Sequence, residues 1–290
     1  MTEENSLTDS DWAEWNPSNL PGLPTIPKYE TLPVWREPVL YQDIPALSWS
    51  RLRRFVLNPS YYRRNPEWKI ESSGFEAGNF FHRMILEREK WEKVYATFEA
   101  PVNPKTEKPY KSGAAYDKAL EEFESQGFIG VPQEAFDALS EIEIAVKESA
   151  LAEFLDSPYR EVEVVSEIDG VPAKGKIDIY SERFGIIDLK TTGRLLDSCG
   201  NDKMYWNCRD YGYFDELAYF SLVVEASTGY LPPCSIVAIQ IAPPYQVGLY
   251  EISGETIGAS IDRIRDEYLP RWKEFNASDS LTPSLLRRFY

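Results

Sequence analysis

Three features of the 290-residue sequence predict an α/β (or α+β) fold with a mixed central sheet flanked by helices. Amphipathic helical stretches fill much of the chain between about 46 and 155. Three strand-like segments then follow one another between 161 and 192. A helix, two further strands and a last helix close the chain.

Each element has its own local cause. Residues 1–45 carry seven of the 21 prolines, eight acids and two bases, and show no helical period. They read as an acidic, proline-rich N-terminal arm. The remainder, 46–290, reads as one folded domain. In "PALSWSRLRRFVLNPSYYRR" Ser48 or Ser50 can cap a helix whose apolar stripe is Leu52, Phe55 and Val56, and Asn58-Pro59 stops it. Phe80, Phe81, Met84, Ile85, Leu86 and Trp91 give the next helix a broad apolar face. A loop rich in proline and lysine leads to two amphipathic helices, over about 114–127 and 132–155. Then the period changes. "EVEVVSEI" alternates in part, Asp169-Gly170 is a hairpin turn, and "PAKGKIDIY" and "IIDLKTT" complete an antiparallel meander. "YFDELAYFSLVVEAST" returns to helix. "SIVAIQIA" and "QVGLYEIS" are strands, and a helix spans about 255–276.

Composition narrows the function. No apolar run is long enough to cross a membrane and the acidic N-terminus has no signal-peptide character, so a cytoplasmic protein is expected. Cys199, Cys208 and Cys234 form no CxxC pair, which disfavours a zinc ribbon, a disulfide frame or a four-cysteine iron–sulfur cluster. The net charge of −16 opposes nucleic-acid binding when taken alone. Arg51, Arg53, Arg54, Arg63 and Arg64, with Tyr61 and Tyr62 among them, nevertheless form a local basic, aromatic patch suited to a DNA backbone and a stacked end.

The charges inside the strands need a reason. Strand alternation puts Lys174, Lys176, Asp178 and Tyr180 on one face, Gly175, Ile177 and Ile179 on the other, and Asp188 with Lys190 on one face of the next strand. If the two strands pair through the short turn, Asp178 lies beside Asp188. Two close carboxylates repel unless a cation joins them. Lys190 can be that cation; so can a divalent metal, and oxygen ligands favour Mg²⁺ or Mn²⁺. A metal with an adjacent lysine suits phosphodiester hydrolysis. A solvated strand salt bridge is the plainer alternative. His82, the only histidine, sits on a helix able to deliver an imidazole to the sheet.

"FEAGNFFHRMILE", "APVNPKTEKPY", "EVEVVSEIDGVPAKGKIDIY" and "IIDLKTT" occur in this order, with "SWSRLRRFVLNPSYYRR" before them and "IQIAPPYQVGLYEI" after. This succession resembles the RecE-like exonucleases, a phage and prophage branch of the PD-(D/E)xK nucleases, from about residue 46 onwards. The resemblance implies a restriction-endonuclease-like core and metal-dependent DNA hydrolysis, with His82, Asp178, Asp188 and the Leu189 carbonyl as metal ligands and Lys190 as the catalytic lysine. It implies a 5′→3′ exonuclease on linear duplex DNA in recombination, a ring-shaped homo-oligomer and a single-strand annealing protein as partner, in a bacterial or phage-infected cell. Glu163 or Glu167 would add an outer carboxylate. One departure stands out. The family's helix after the lysine carries Gln and, four residues on, Tyr; here Glu216 and Phe220 hold those places, with Tyr219 alongside. The alternative reading is therefore a nuclease fold that binds DNA or a protein without cutting.

Overall fold

The computed structural model describes residues 26–37, 39–68, 73–110, 112–149, 152–193, 196 and 201–277. Eight strands are present among them: β1 (Leu47–Ser48), β2 (Tyr95–Phe98), β3 (Ile129–Pro132), β4 (Arg160–Ile168), β5 (Val171–Ser181), β6 (Gly185–Thr192), β7 (Cys234–Gln240) and β8 (Val247–Ile252). The helices are α1 (Trp49–Leu57), α2 (Pro59–Arg64), α3 (Ser73–Leu86), α4 (Arg88–Val94), α5 (Ala114–Glu124), α6 (Gln133–Glu148), α7 (Ala152–Leu155), α8 (Asn201–Tyr211), α9 (Tyr213–Thr228), α10 (Gly254–Arg263) and α11 (Leu269–Ala277). A π-helical turn, Ile264–Tyr268, joins the last two.

The main sheet is mixed, as expected. β4, β5 and β6 form the antiparallel meander, β6 runs parallel to β7, and β8 returns antiparallel. One edge of β5 is covered by β4. The other is shared: β1 takes Ala173 and Lys174, while β6 takes Ile179 to Ser181. Residues 175–178 have no strand partner on that side, and this gap in the ladder is where the charged residues gather.

Helices cover both faces. α9 packs across one, within a core that includes Val162, Val164, Ala173, Ile177, Ile186, Leu217, Val224 and Ile236. α3, α4 and α6 cover the other, with Phe80, Phe81, Trp91, Ile142, Ile179, Ile187, Leu189 and Val237. Ile177 and Ile179 thus belong to opposite cores, although simple alternation predicts one shared face. The strand loses its strict period at Asp178, beside the gap.

Several expectations need correction. Residues 132–155 do not form one helix; α6 ends at Glu148 and α7 is a separate short turn. The parallel pair β2–β3 and helix α8 have no counterpart in the sequence reading. Ser48 is the cap of α1, its side chain accepting from the Arg51 N–H at 3.4 Å, and Asn58 caps α2 as well as ending α1. Lys174 does not join the charged cluster. Its ammonium is buried and donates to the carbonyls of Tyr41, Gln42 and Ile44 at 2.7, 3.2 and 2.9 Å. That contact holds residues 41–44 of the N-terminal segment to the sheet. Ile26, Leu32 and Ile44 are buried there too, Tyr29 stacks on Tyr159 at 4.1 Å, and the Trp35 N–H donates to the Glu163 carbonyl at 2.8 Å. Residues 1–25 and Cys199 lie outside the described residues. Cys208 and Cys234 are buried free thiols. No described helix is long and apolar enough to cross a membrane.

Candidate active site

The Asp169-Gly170 turn starts the geometry. Both residues adopt positive φ (50° and 78°), which closes the hairpin and fixes Ile168 opposite Val171. Continued along the strands, that register sets Glu161 opposite Asp178. The short turn after Ser181 fixes Ser181 opposite Gly185, and the same count brings Asp178 level with Asp188. At this level β5 and β6 no longer share a ladder. Instead the Leu189 N–H donates to Asp178 Oδ2 at 2.8 Å, so a carboxylate replaces the missing backbone acceptor.

α3 delivers His82 from the far side. Its Nε2 lies 2.9 Å from Asp178 Oδ2, and Nδ1 lies 3.9 Å from Glu161 Oε1. Ligand atoms of His82, Glu161 and Asp178 all fall within 4.8 Å of one another, a spacing that can surround one metal ion. Glu161 also touches Lys176. Its backbone has φ of 51°, a left-handed conformation that costs a β-strand residue energy and that clusters at functional sites.

Lys190 occupies the other half of the site. Its Nζ donates to Asp188 Oδ1 and to Glu216 Oε2, both at 3.0 Å, and sits 4.5 Å from the centre of the Tyr213 ring. Asp188 is the most enclosed member, its side chain only 4% exposed. Its Oδ2 is 2.9 Å from Lys190 Nζ but receives no well-directed hydrogen bond. A buried carboxylate oxygen without a donor is a costly arrangement, and a cation would relieve it.

Electrostatics agree. Burial pushes the Asp188 carboxyl up to about 7 against the pull of Lys190, and Asp178 and Glu216 add to the rise. For Asp178 burial acts in the same direction, but the hydrogen bond and charge of His82, with Lys190 and the Leu189 N–H, hold the carboxyl below its usual range. Burial disfavours imidazolium at His82 more than any one partner favours it; the hydrogen bond with Asp178 and the charges of Asp178 and Asp188 together outweigh burial and raise the pKa. Lys190 is likewise desolvated, yet Asp188, Glu216 and Asp178 raise it well above an ordinary lysine. It is firmly a cation. Glu161, Asp178, Asp188 and Glu216 face Lys176 and Lys190, so four carboxylates meet two ammoniums. Among these six groups the carboxylates outnumber the ammoniums, an excess of negative charge that fits a divalent metal.

The structure therefore brings His82, Asp178, Asp188 and Lys190 together. It also adds Glu161, which the sequence reading passed over for Glu163 or Glu167. Glu163 is near Tyr41 and Lys174 instead. Counting seven residues back from the turn would have found Glu161. Glu216 points at Lys190. Tyr219 is fully buried, its hydroxyl donating to the Leu47 carbonyl, and Phe220 packs where a Cβ on Gly175 would meet its ring at 2.9 Å. Those two aromatics are core.

The arginine patch divides. Arg51 donates to the Tyr62 hydroxyl at 3.2 Å, Arg54 to the Trp68 carbonyl, and Arg63 to the Phe275 carbonyl at 2.7 Å while lying 3.9 Å over that ring. These three tie α1 and α2 to their surroundings. Arg64 is exposed and Arg53 half-buried. Tyr62 is buried, so of the two tyrosines only the exposed Tyr61 is available to a stacked DNA end.

A mixed sheet clasped by helices, with Asp178 and the Asp188-x-Lys190 pair meeting at a break in its ladder, defines a PD-(D/E)xK nuclease-type domain with a restriction-endonuclease-like core. The chain belongs to the family described as "PDDEXK-like domain of unknown function (DUF3799)", whose model matches residues 53–280. A crystal structure from Eubacterium rectale, described as a candidate exonuclease, shares the fold with a TM-score of 0.56 at 15% identity, over 83% of this chain and 88% of that one. LHK-Exo in complex with dAMP aligns over 58% of this chain and 86% of its own at 16% identity; its TM-score of 0.22 supports no argument. No curated protein matches.

Proposed function

We propose that this protein is a Mg²⁺- or Mn²⁺-dependent deoxyribonuclease, a 5′→3′ exonuclease acting on the ends of linear duplex DNA. The observation that carries the reading is the meeting of His82, Glu161, Asp178 and the orphaned Asp188 Oδ2 beside a charged Lys190. His82, Glu161, Asp178 and Asp188 would hold the metal, with the Leu189 carbonyl as a further ligand suggested by family resemblance. A bound divalent ion would polarise the scissile phosphate and make a water acidic enough to attack at neutral pH. Lys190 is held as a cation, so its part is to orient that water and to balance charge growing on the phosphate oxygens. Tyr213 and Glu216 fix where its ammonium sits. Direct attack by water would invert the phosphorus, with no covalent enzyme intermediate.

The RecE-like resemblance extends the proposal to phage-type recombination in the cytoplasm, to a ring-shaped homo-oligomer and to a single-strand annealing protein as partner. One observation favours the rival reading of a DNA- or protein-binding module without cleavage. Glu216 grips Lys190 a second time, and a lysine held between two carboxylates is less free to meet a phosphate.

Digestion of linear duplex DNA carrying a label on its 5′ or 3′ end, beside a closed circular plasmid, tests the two. Loss of the linear DNA alone, with Mg²⁺ or Mn²⁺ but not with EDTA, and early release of the 5′ label, is the expected result. Binding without cleavage under either metal would favour the module, and cutting of the circle would make the enzyme an endonuclease.

A further inference from the structure

The outer face of α8 has no part in the metal site, yet it is built beside it. Met204 and Cys208 turn inwards, and Cys208 lies close enough to feel the charges of Asp188 and Lys190. Tyr205, Trp206 and Tyr211 are 49%, 47% and 50% exposed. Three large, half-exposed aromatics around one short helix are more apolar surface than a solvated helix needs. They also lead towards the chemistry. Tyr211 stacks on Tyr213 with centroids 5.7 Å apart and planes 28° from parallel, and Tyr213 is the ring beside Lys190. The Arg209 guanidinium lies 3.8 Å over Trp206, with Asp210 beside it. Gly212, at φ of 71°, makes the corner between α8 and α9, and a Cβ there would be 4.0 Å from Nε of Arg53. Arg53 pairs with no carboxylate among the described residues.

We propose that the exposed rings at the C-terminal end of α8 seat an unpaired DNA strand that passes round the helix end, with bases stacked on Tyr211 and Trp206 and a backbone phosphate on Arg53. The inference rests on the nuclease reading and deepens it: the strand would reach Lys190 frayed from its complement. An intact duplex exposes a base face only at its terminal pair, so successive rings that each stack a base call for unpaired bases. Stacking tolerates every base, as a nuclease without sequence preference requires, and strengthens binding by about tenfold or more per base. Arg209 extends the flat surface by covering Trp206.

Fluorescence anisotropy of the full chain in EDTA tests this with three labelled probes: an oligothymidylate, a blunt duplex, and the same duplex with a short unpaired tail. The oligothymidylate and tailed duplex should bind more tightly than the blunt one. The double variant Trp206→Ala/Tyr211→Ala should weaken both by about tenfold or more, change blunt binding by less than about twofold, and recover with Trp206→Phe/Tyr211→Phe. Equal effects on all three probes, or none, would overturn the proposal while leaving the nuclease reading intact. Absence of binding to any DNA would overturn the strand seat, while the nuclease reading stands or falls separately on the metal-dependent digestion of linear duplex. A lower oligomeric state of the alanine variant in light scattering, with DNA binding unchanged, would assign the face to self-association and overturn the strand seat.

Discussion

Replacing Lys190 with alanine is expected to lower metal-dependent cleavage by about a hundredfold to a thousandfold, with DNA binding little changed. The lysine is held between Asp188 and Glu216, and both acids favour its charge. An interaction that matters most when charge builds on the phosphate is lost from the turnover number rather than from substrate affinity. The same substitution strands two carboxylates, and breaking so enclosed a pair costs about 3 kcal/mol of stability. Lys190→Arg separates the two effects. It keeps the charge, so the fold should hold near its wild-type melting temperature, but its planar fork cannot reproduce the point charge and activity should remain low. Single-turnover cleavage with both variants, checked for fold by circular dichroism, decides the matter. Activity within tenfold of wild type in Lys190→Ala would remove the lysine from the chemistry.

Asp188→Asn carries the second large effect, in two opposite directions. Cleavage should be lost, because a neutral amide cannot hold a divalent ion as a carboxylate does. Metal-free stability should rise. The Asp188 pKa in the folded chain, about 7, lies above its ordinary value of 3.8. Between those two values the folded state binds the extra proton, so stability falls as pH climbs through the window and stays reduced above it. His82 adds to the same trend: its raised pKa gives stability that is fully present below the ordinary histidine value and is lost as pH passes the folded one. Asp178 behaves oppositely, giving stability that disappears only in acid. Metal-free Asp188→Asn should therefore match wild type near pH 4 and exceed it at pH 8 by on the order of 2 kcal/mol. Saturating Mg²⁺ should raise wild-type stability at pH 8 and leave the variant unmoved. Urea denaturation across that range checks both statements, and a variant less stable than wild type at pH 8 would contradict them.

Much of this was readable from residue types and spacing. The switch from helical to alternating period located β4 to β6, and Asp169-Gly170 fixed their first register. Asp178, Asp188 and Lys190 stood out because charges in mid-strand need a cause. What stayed hidden depends on tertiary placement. Glu161 looked like any solvated strand residue until the register set it opposite Asp178. Lys174 shares strand parity with Asp178, yet carbonyls of the N-terminal segment claimed it, and nothing local in residues 41–44 announces that contact. β2 and β3 are four residues each, separated by thirty, too short for a period to show. Glu216 stood out only as an acid in the place of the family's Gln, because only packing of α9 on the sheet turns it towards Lys190.

The central claim is that these charges meet in order to bind a metal. Titration of Mn²⁺ into the full chain at pH 8, followed by electron paramagnetic resonance and calorimetry, tests it most directly. The account predicts saturable binding in wild type that weakens by about tenfold or more in Asp178→Asn and in Asp188→Asn. Unchanged Mn²⁺ affinity in both folded variants would mean that the carboxylates serve the sheet alone.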